Sequence, residues 1–187
     1  MTADRGVPHD DRRWSVRFPA LFTGRYIDYA ACHVRMTTGP VPVDLIARLH
    51  VVAVTGPEHV IVCRSIQGWR FLPGGTREPG ETLAQLAARE LREEAGARLT
   101  GEVAVFAAHV ADSEREAPYR PHLPHPRAYW AFAVARADVV GPPSNPDDGE
   151  HVVEVLTLPP ADAADYIEEH DPVHADVVRL AQEMRLI

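Results

Sequence analysis

The segment from Leu72 to Leu99, LPGGTREPGETLAQLAARELREEAGARL, gathers carboxylates where a helix does not want them. Thr82 with Gln85 three positions later has the form of a capping box. Gly96 suits a left-handed C-cap, so a helix is expected from Thr82 to about Ala95. At about 100° per residue, Leu83, Leu86 and Ala87 share one face, and that face continues into Glu90, Glu93 and Glu94. The stripe begins apolar and ends acidic. Glu90 and Glu94 repel at i,i+4, costing roughly 0.2–0.5 kcal/mol. The helix dipole disfavours each anion near the C-terminus by a further ~0.3–1 kcal/mol. Arg89 can reach Glu93 at i,i+4 and offsets part of this. Hard oxygen ligands grouped in this way suit Mg2+ or Mn2+. Taken alone, such a cluster reads first as a solvated acidic helix end, and its neighbours have to decide the matter.

The neighbours fall at set spacing. Gly75 is followed by Thr76 to Gly80 and then Glu81. Thr82 to Ala88 lead to Arg89-Glu90-Leu91-Arg92-Glu93-Glu94-Ala95-Gly96. This pattern resembles the Nudix box, the signature of the Nudix hydrolases, at every fixed position. The one soft departure is Ala97, where a larger aliphatic residue is usual. Leu72-Pro73-Gly74 resembles the turn that leads into the family's box. The resemblance covers Gly75 to Ala97, and it implies an α/β/α sandwich built on a mixed sheet.

The resemblance also implies roles, residue by residue. Glu90, Glu93 and Glu94 match the family's metal-binding glutamates, and the Gly75 carbonyl matches a backbone ligand. Arg89 matches the arginine that orients and neutralises these carboxylates. Glu81 matches a glutamate supporting the loop–helix–loop, and Gly96 closes the helix. Many Nudix hydrolases take a further ligand or a general base from a late acidic loop; here Asp147, Asp148 and Glu150 stand in DDGEHVVEV, and Glu150 or Asp148 is the candidate. The implied function is cleavage of a phosphoanhydride bond, with Mg2+ or Mn2+ as cofactor. The substrate would be a nucleoside diphosphate linked to another moiety, or a nucleoside triphosphate. The physical logic agrees, since a bound divalent ion neutralises a diphosphate and lowers the pKa of a water from which a carboxylate removes the proton. The alternative is a Nudix-like module that senses a nucleotide without turnover; the intact glutamates favour catalysis. No motif selects among oxidised guanine nucleotides, dinucleoside polyphosphates and coenzyme A.

Elements that could position these residues flank the box on both sides. Leu45–Val54 and His59–Arg64 read as strands joined by the turn TGPE. Trp69 to Leu72 is short and extended, halted by Pro73 and Gly74-Gly75. Strands are expected near Val103–Ala111, Tyr129–Arg136 and His151–Leu158, and helices at Ala161–Glu169 and about Val173–Met184. Strands around a central helix, with a helical end, indicate a single mixed α/β domain at 41–187. Residues 1–40 lie outside the resemblance and are expected to be an N-terminal extension, partly disordered. Trp14, Phe18, Phe22, Tyr26 and Tyr29 would form an arm on the domain or on the partner subunit of a homodimer.

Two segments read as loops or lids, Asp112–Pro126 and Gly141–Gly149. In the first, His122 and His125 form an H-x-x-H, but the run is proline-rich rather than helical, so zinc ligation is set aside in favour of a lid over substrate. Arg120 and Arg127 are candidates to meet a substrate phosphate there. Tyr129 and Trp130 are expected to pack in a strand rather than stack on a base. Cys63 is not surrounded by the residues that accompany a cysteine in the isomerases of this superfamily.

Composition sets the outer bounds. The 187 residues are 45% hydrophobic and 25% charged, as in ordinary globular proteins. The net charge of −8 disfavours nucleic-acid and anionic-membrane partners and leaves a small phosphorylated metabolite, a nucleotide, as the expected one. All 19 basic residues are arginine, which excludes P-loop lysine and Schiff-base chemistry. Cys32 and Cys63 lie among apolar neighbours and are expected to be reduced thiols. No apolar run approaches the ~20 residues of a membrane helix, and Met1–Asp11 lacks the apolar core of a signal peptide, so a cytoplasmic protein is expected.

Overall fold

The computed structural model describes residues 11–146 and 151–187. The described residues begin with helices α1 (Asp11–Arg17) and α2 (Pro19–Phe22), then strands β1 (Arg25–Ile27) and β2 (Cys32–Thr37). Strands β3 (Ile46–Thr55), β4 (His59–Ser65), β5 (Arg70–Phe71) and β6 (Gly74–Thr76) precede helix α3 (Leu83–Ala95). Strands β7 (Ala97–Leu99), β8 (Ala104–Ser113), β9 (Arg127–Val139) and β10 (Val152–Leu158) follow, and α4 (Pro160–Glu168) and α5 (Pro172–Glu183) complete the chain.

The strands form one mixed sheet in the order β1-β2-β8-β9-β3-β4-β10, with β5 on β4, β6 on β3 and β7 on β9. β3 and β9 run parallel, Leu49 opposite Ala131 and Val51 opposite Ala133. The other pairings are antiparallel. β3 and β9 are central and covered on both faces, which is why β3 reads as a nearly unbroken apolar run rather than an alternating one.

Two buried clusters show the layers. On one face Val52, Val60, Val62 and Phe132 meet Trp14, Phe18 and Leu21 together with Ile167, Val177, Val178 and Leu180 of the last two helices. On the other, Leu49, Val51, Ala53, Ile61 and Cys63 meet Leu86, Ala87, Leu91 and Ala95 of α3. Helices thus lie on both sides of the sheet, the α/β/α sandwich expected from the box. Each large side chain so buried contributes about 1.5–3 kcal/mol.

Residue 40 does not interrupt this structure. β2 pairs with β8 from Cys32↔Ser113 to Thr37↔Ala108, so the segment read as an extension supplies strands to the common sheet. Asp11 fastens α1 to the end of β2: its carboxylate accepts from Thr38 N–H at 2.7 Å and from the hydroxyls of Thr38 and Thr37 at 2.7 and 3.0 Å. Trp14, Phe18 and Leu21 then reach the core as i,i+4 and i,i+3 neighbours. Sequence reading missed this helix because its polar side, Asp11, Arg12 and Arg13, looks like a frayed end. Among the described residues no helix is long and apolar enough to cross a membrane.

Candidate active site

Helix α3 starts and stops where its sequence says it should. Thr82 Oγ1 accepts from Gln85 N–H at 3.3 Å and Gln85 Oε1 accepts from Thr82 N–H at 2.9 Å, the reciprocal capping box. Gly96 ends the helix at φ 57°, and its missing side chain is needed, since a Cβ would lie 2.1 Å from the Gly141 carbonyl oxygen. With its apolar face held against β3 and β4, α3 carries its acidic end to the loop Gly74–Thr76.

Arg89 organises that end. Its Nε–H and Nη2–H donate to the two carboxylate oxygens of Glu81 at 2.9 and 3.1 Å. Nη1–H donates to Glu90 at 2.8 Å and to Glu93 at 3.2 Å, and Nη2–H also reaches the Thr76 carbonyl at 3.1 Å. One guanidinium therefore links the loop before the helix to two of the three box glutamates. Burial works against its charge, but the bonds to Glu81 and Glu90 outweigh burial and raise its pKa. Burial likewise pushes Glu81 up; Arg89 and the Glu78 N–H, at 2.9 Å from its Oε2, pull harder and leave it below the ordinary carboxylate value. In Glu90 burial wins, and its pKa is raised despite Arg89.

These are not solvated acids. Glu90 and Glu94 are 6% and 8% exposed. Glu94 Oε2 accepts from the Gly74 N–H at 2.8 Å. Glu90 lies so close to Gly75 that a Cβ there would stand 2.2 Å from Glu90 Oε1. Only glycine at 75 lets the loop backbone approach this carboxylate. Among the described residues no three His, Cys, Asp or Glu side chains converge on a common point as a formed metal cage. The carboxylates are instead engaged by Arg89 and Gly74. The donor set, three carboxylates beside a backbone stripped of side chain, has the chemistry a hard divalent cation requires.

The loop after β9 is tied to the same helix end. Ser144 and Asn145 N–H groups donate to the Arg92 and Glu93 carbonyls at 3.4 and 3.2 Å, and Val140 and Gly141 donate to Gly96. The Asn145 side chain then pairs both ways with the Val152 backbone, at 2.8 and 2.9 Å. Both flanks of the acidic loop are thus held together at the end of α3. Asp147, Asp148 and Glu150 themselves lie outside the described residues.

Other expectations fall differently. Arg127 is engaged by Asp112 through two bonds, 2.6 and 3.0 Å, and Arg120 lies exposed near Tyr119. The structure brings neither into contact with the helix end. It places Arg48 of β3 near there instead, with Nε–H donating to Thr76 Oγ1 at 3.3 Å. Sequence reading passed over Arg48, although a charge inside the apolar run LIARLHVVAV is a signal that could have found it. His122 and His125 each donate Nε2–H to a backbone carbonyl, of Arg77 at 2.9 Å and of Arg115 at 2.8 Å, and so pin the proline-rich loop to the body. Tyr129 packs in the sheet as expected. Trp130 also packs there, but its ring carries the Arg48 guanidinium at 5.3 Å and lines a cavity of about 200 Å3 under the loop. Cys63 is fully buried with Sγ–H toward the Glu94 carbonyl, and burial holds its thiol well above the usual range, so it is no nucleophile.

Comparison with known proteins agrees with this architecture. The family model for the NUDIX domain matches residues 46–181. Similar solved structures include a pyrophosphohydrolase from Bacillus subtilis, with a TM-score of 0.53 and 16% identity, covering 73% of this chain and 77% of that one. A MutT protein from Methanosarcina mazei aligns with a TM-score of 0.49 and 16% identity over 75% of this chain and 94% of that one. A Nudix hydrolase from M. smegmatis aligns at 0.48 and 18%, over 75% and 86%. The first of these shows a shared fold. No curated protein matches the chain.

Proposed function

Because the chain belongs to the Nudix family, we propose that the acidic end of α3 is a metal-dependent active site that hydrolyses a phosphoanhydride bond. Its substrate would be a nucleoside diphosphate linked to another group, or a nucleoside triphosphate. The observation that carries this reading is the approach of Gly75 to Glu90. The missing Cβ at 75, which would lie 2.2 Å from Glu90 Oε1, keeps room for a carboxylate and a carbonyl to share one ligand.

Glu90, Glu93 and Glu94, with the Gly75 carbonyl, would hold Mg2+ or Mn2+. Such an ion, when bound, neutralises a diphosphate and acidifies a water. The chain's own residues do the rest. Arg89 gathers Glu90 and Glu93 and prevents their repulsion from splaying the helix end. Glu81 holds Arg89 in place from the opposite side, so the array is rigid before substrate arrives. Glu150 is the candidate to remove the proton of the attacking water. What supports it is the anchoring of its loop, through Ser144, Asn145 and Val152, at the same helix end.

A panel of nucleoside triphosphates and nucleoside diphosphate conjugates, incubated with Mg2+ and with Mn2+, tests the reading. Phosphate or nucleotide release from at least one member is expected. Binding of a nucleotide, seen as a thermal shift, with no turnover of any member would favour a sensing module instead.

A further inference from the structure

The cavity beside the helix end has a chemistry of its own. Its buried wall is made of small residues, Cys32, Ala111 and Ala128 among them, and Trp130 stands at one side. Tyr119, 70% exposed, overhangs it from the proline-rich loop. About 200 Å3 is less than the ~300–1,000 Å3 of pockets that take a whole drug-sized ligand, so the space suits one ring system and not two. Trp130 and Tyr119 beside a small, mostly apolar space favour a planar ring. Ser113 lines the same cavity, and its Oγ already accepts from Arg115 N–H at 3.2 Å, which leaves its O–H as a donor.

Arg48 joins this cavity to the helix end. It is half-buried, and among the described residues no carboxylate lies within ion-pair distance of it. Its one hydrogen bond there is from Nε–H to Thr76 Oγ1, which leaves both Nη groups without a protein acceptor. A cation taken partly out of water normally carries an anionic partner. Thr76 is the residue after Gly75, and its carbonyl is held by Arg89, so Arg48 stands at the boundary between the ring-sized space and the box glutamates.

We propose that this cavity holds the single base of a 5′-nucleotide and that Arg48 binds the phosphate attached to that nucleoside. This rests on the reading that the diphosphate is cleaved at the end of α3. The recognised half of the substrate is then one mononucleotide unit, with the departing group outside the cavity, and a nucleoside 5′-monophosphate is a product that competes with substrate.

Binding of AMP, GMP, CMP and UMP, and of the four parent nucleosides, is measured by calorimetry in excess chelator. The proteins are wild type, Arg48→Gln, Tyr119→Ser and Glu93→Gln. Wild type is expected to bind at least one nucleotide about tenfold or more tightly than its nucleoside, the size of one charge-assisted contact. In Arg48→Gln that preference shrinks to about twofold while nucleoside binding persists. Tyr119→Ser, an exposed change that leaves the core intact, weakens nucleotide and nucleoside alike. Glu93→Gln keeps the wild-type preference. If no nucleotide binds wild type, or if the phosphate preference survives in Arg48→Gln, the assignment is overturned. A Glu93→Gln protein that still turns over would defeat the catalytic reading and leave the Arg48 result standing. Turnover that requires metal, together with an unchanged phosphate preference in Arg48→Gln, would defeat the Arg48 assignment alone.

Discussion

Arg89 grips Glu81 with two parallel hydrogen bonds, 2.9 and 3.1 Å, across eight residues of chain that include the turn into α3. The same guanidinium then spends its remaining donors on Glu90, Glu93 and the Thr76 carbonyl. Glu81 and Glu90 side chains are 9% and 8% exposed, and Glu93 is 18% exposed. The two kinds of substitution at this hub therefore differ. Arg89→Met strands two buried carboxylates and should cost roughly 3–5 kcal/mol. Glu93→Gln leaves Arg89 fully partnered and relieves repulsion with Glu90, so apo stability should change by about 1 kcal/mol or less. Chemical denaturation of both variants in chelator checks this; equal losses would mean that Glu93 is a structural partner of Arg89.

Gly75 and Gly74 make a second contrast. A Cβ at 75 meets the carboxylate end of Glu90, which must shift and disturb its bond to Arg89, so Gly75→Ala should fold with a loss of roughly 1–2 kcal/mol. Activity should fall about 10²-fold or more because the carboxylate has moved. A Cβ at 74 meets backbone, the Leu49 carbonyl oxygen at 2.2 Å and His50 Cα at 2.5 Å, at a φ of 156°. Gly74→Ala should therefore lower stability by more than about 2 kcal/mol. Paired melts and activity assays distinguish them. A fully active Gly75→Ala would show that nothing needs that space.

The loop after β9 carries the proton-transfer prediction. Glu150→Gln should slow turnover by roughly 10²-fold or more at saturating metal, the usual size of a general-base contribution. If Asp148→Asn is the damaging change, the base is the other carboxylate. Full activity in both variants would move the base out of this loop.

Buried histidines predict the response to acid. His109 sits on β8 with its ring against Phe132 at 5.6 Å, and burial, with Arg25 and His174 adding to it, depresses its pKa to about 3. His174 on α5 is depressed for the same leading reason. An unfolded chain takes up a proton near pH ~6.5 where the folded one does not. The stabilisation from a neutral His109 is thus complete above about pH 6.5 and is lost progressively as pH falls toward about 3. Its full size is on the order of 5 kcal/mol. Urea midpoints for wild type and His109→Gln between pH 7 and 4 give the difference. Wild type should lose stability more steeply; parallel curves would mean that His109 titrates normally.

Much of this fold is legible in the sequence because local and global signals agree. In α3, the capping box Thr82–Gln85, the stripe Leu83, Leu86, Ala87 and the Gly96 cap are all local features, and the helix forms where they place it. The central strands were legible from apolar runs bounded by Pro40, Pro42 and Gly56. What stayed hidden depends on distant partners. α1 looks polar until Asp11 finds Thr38 and Trp14 finds the core. β2 is the exception, since CHVRMT alternates buried and exposed residues and so carries its own strand signal, completed by its pairing with β8. The burial of Glu90 and Glu94 follows from where α3 docks on the sheet. Arg127 carries a charge that Asp112 already uses, and the two partners stand fifteen positions apart in the chain. Arg48 hides in an apolar strand until Thr76 and Trp130 fold against it.

The proposed reaction requires the glutamates of α3 to act through a divalent ion, because the proposed ligands are all oxygen and none is a thiolate. The most direct measurement is the turnover of one cleaved nucleotide substrate by wild type and by Glu93→Gln, each in saturating Mg2+ and in excess chelator. Wild type should turn over in Mg2+ and fall to background in chelator, and Glu93→Gln should stay at background in both while remaining folded. Turnover that persists in chelator, or a folded Glu93→Gln protein with wild-type activity in Mg2+, would contradict the account.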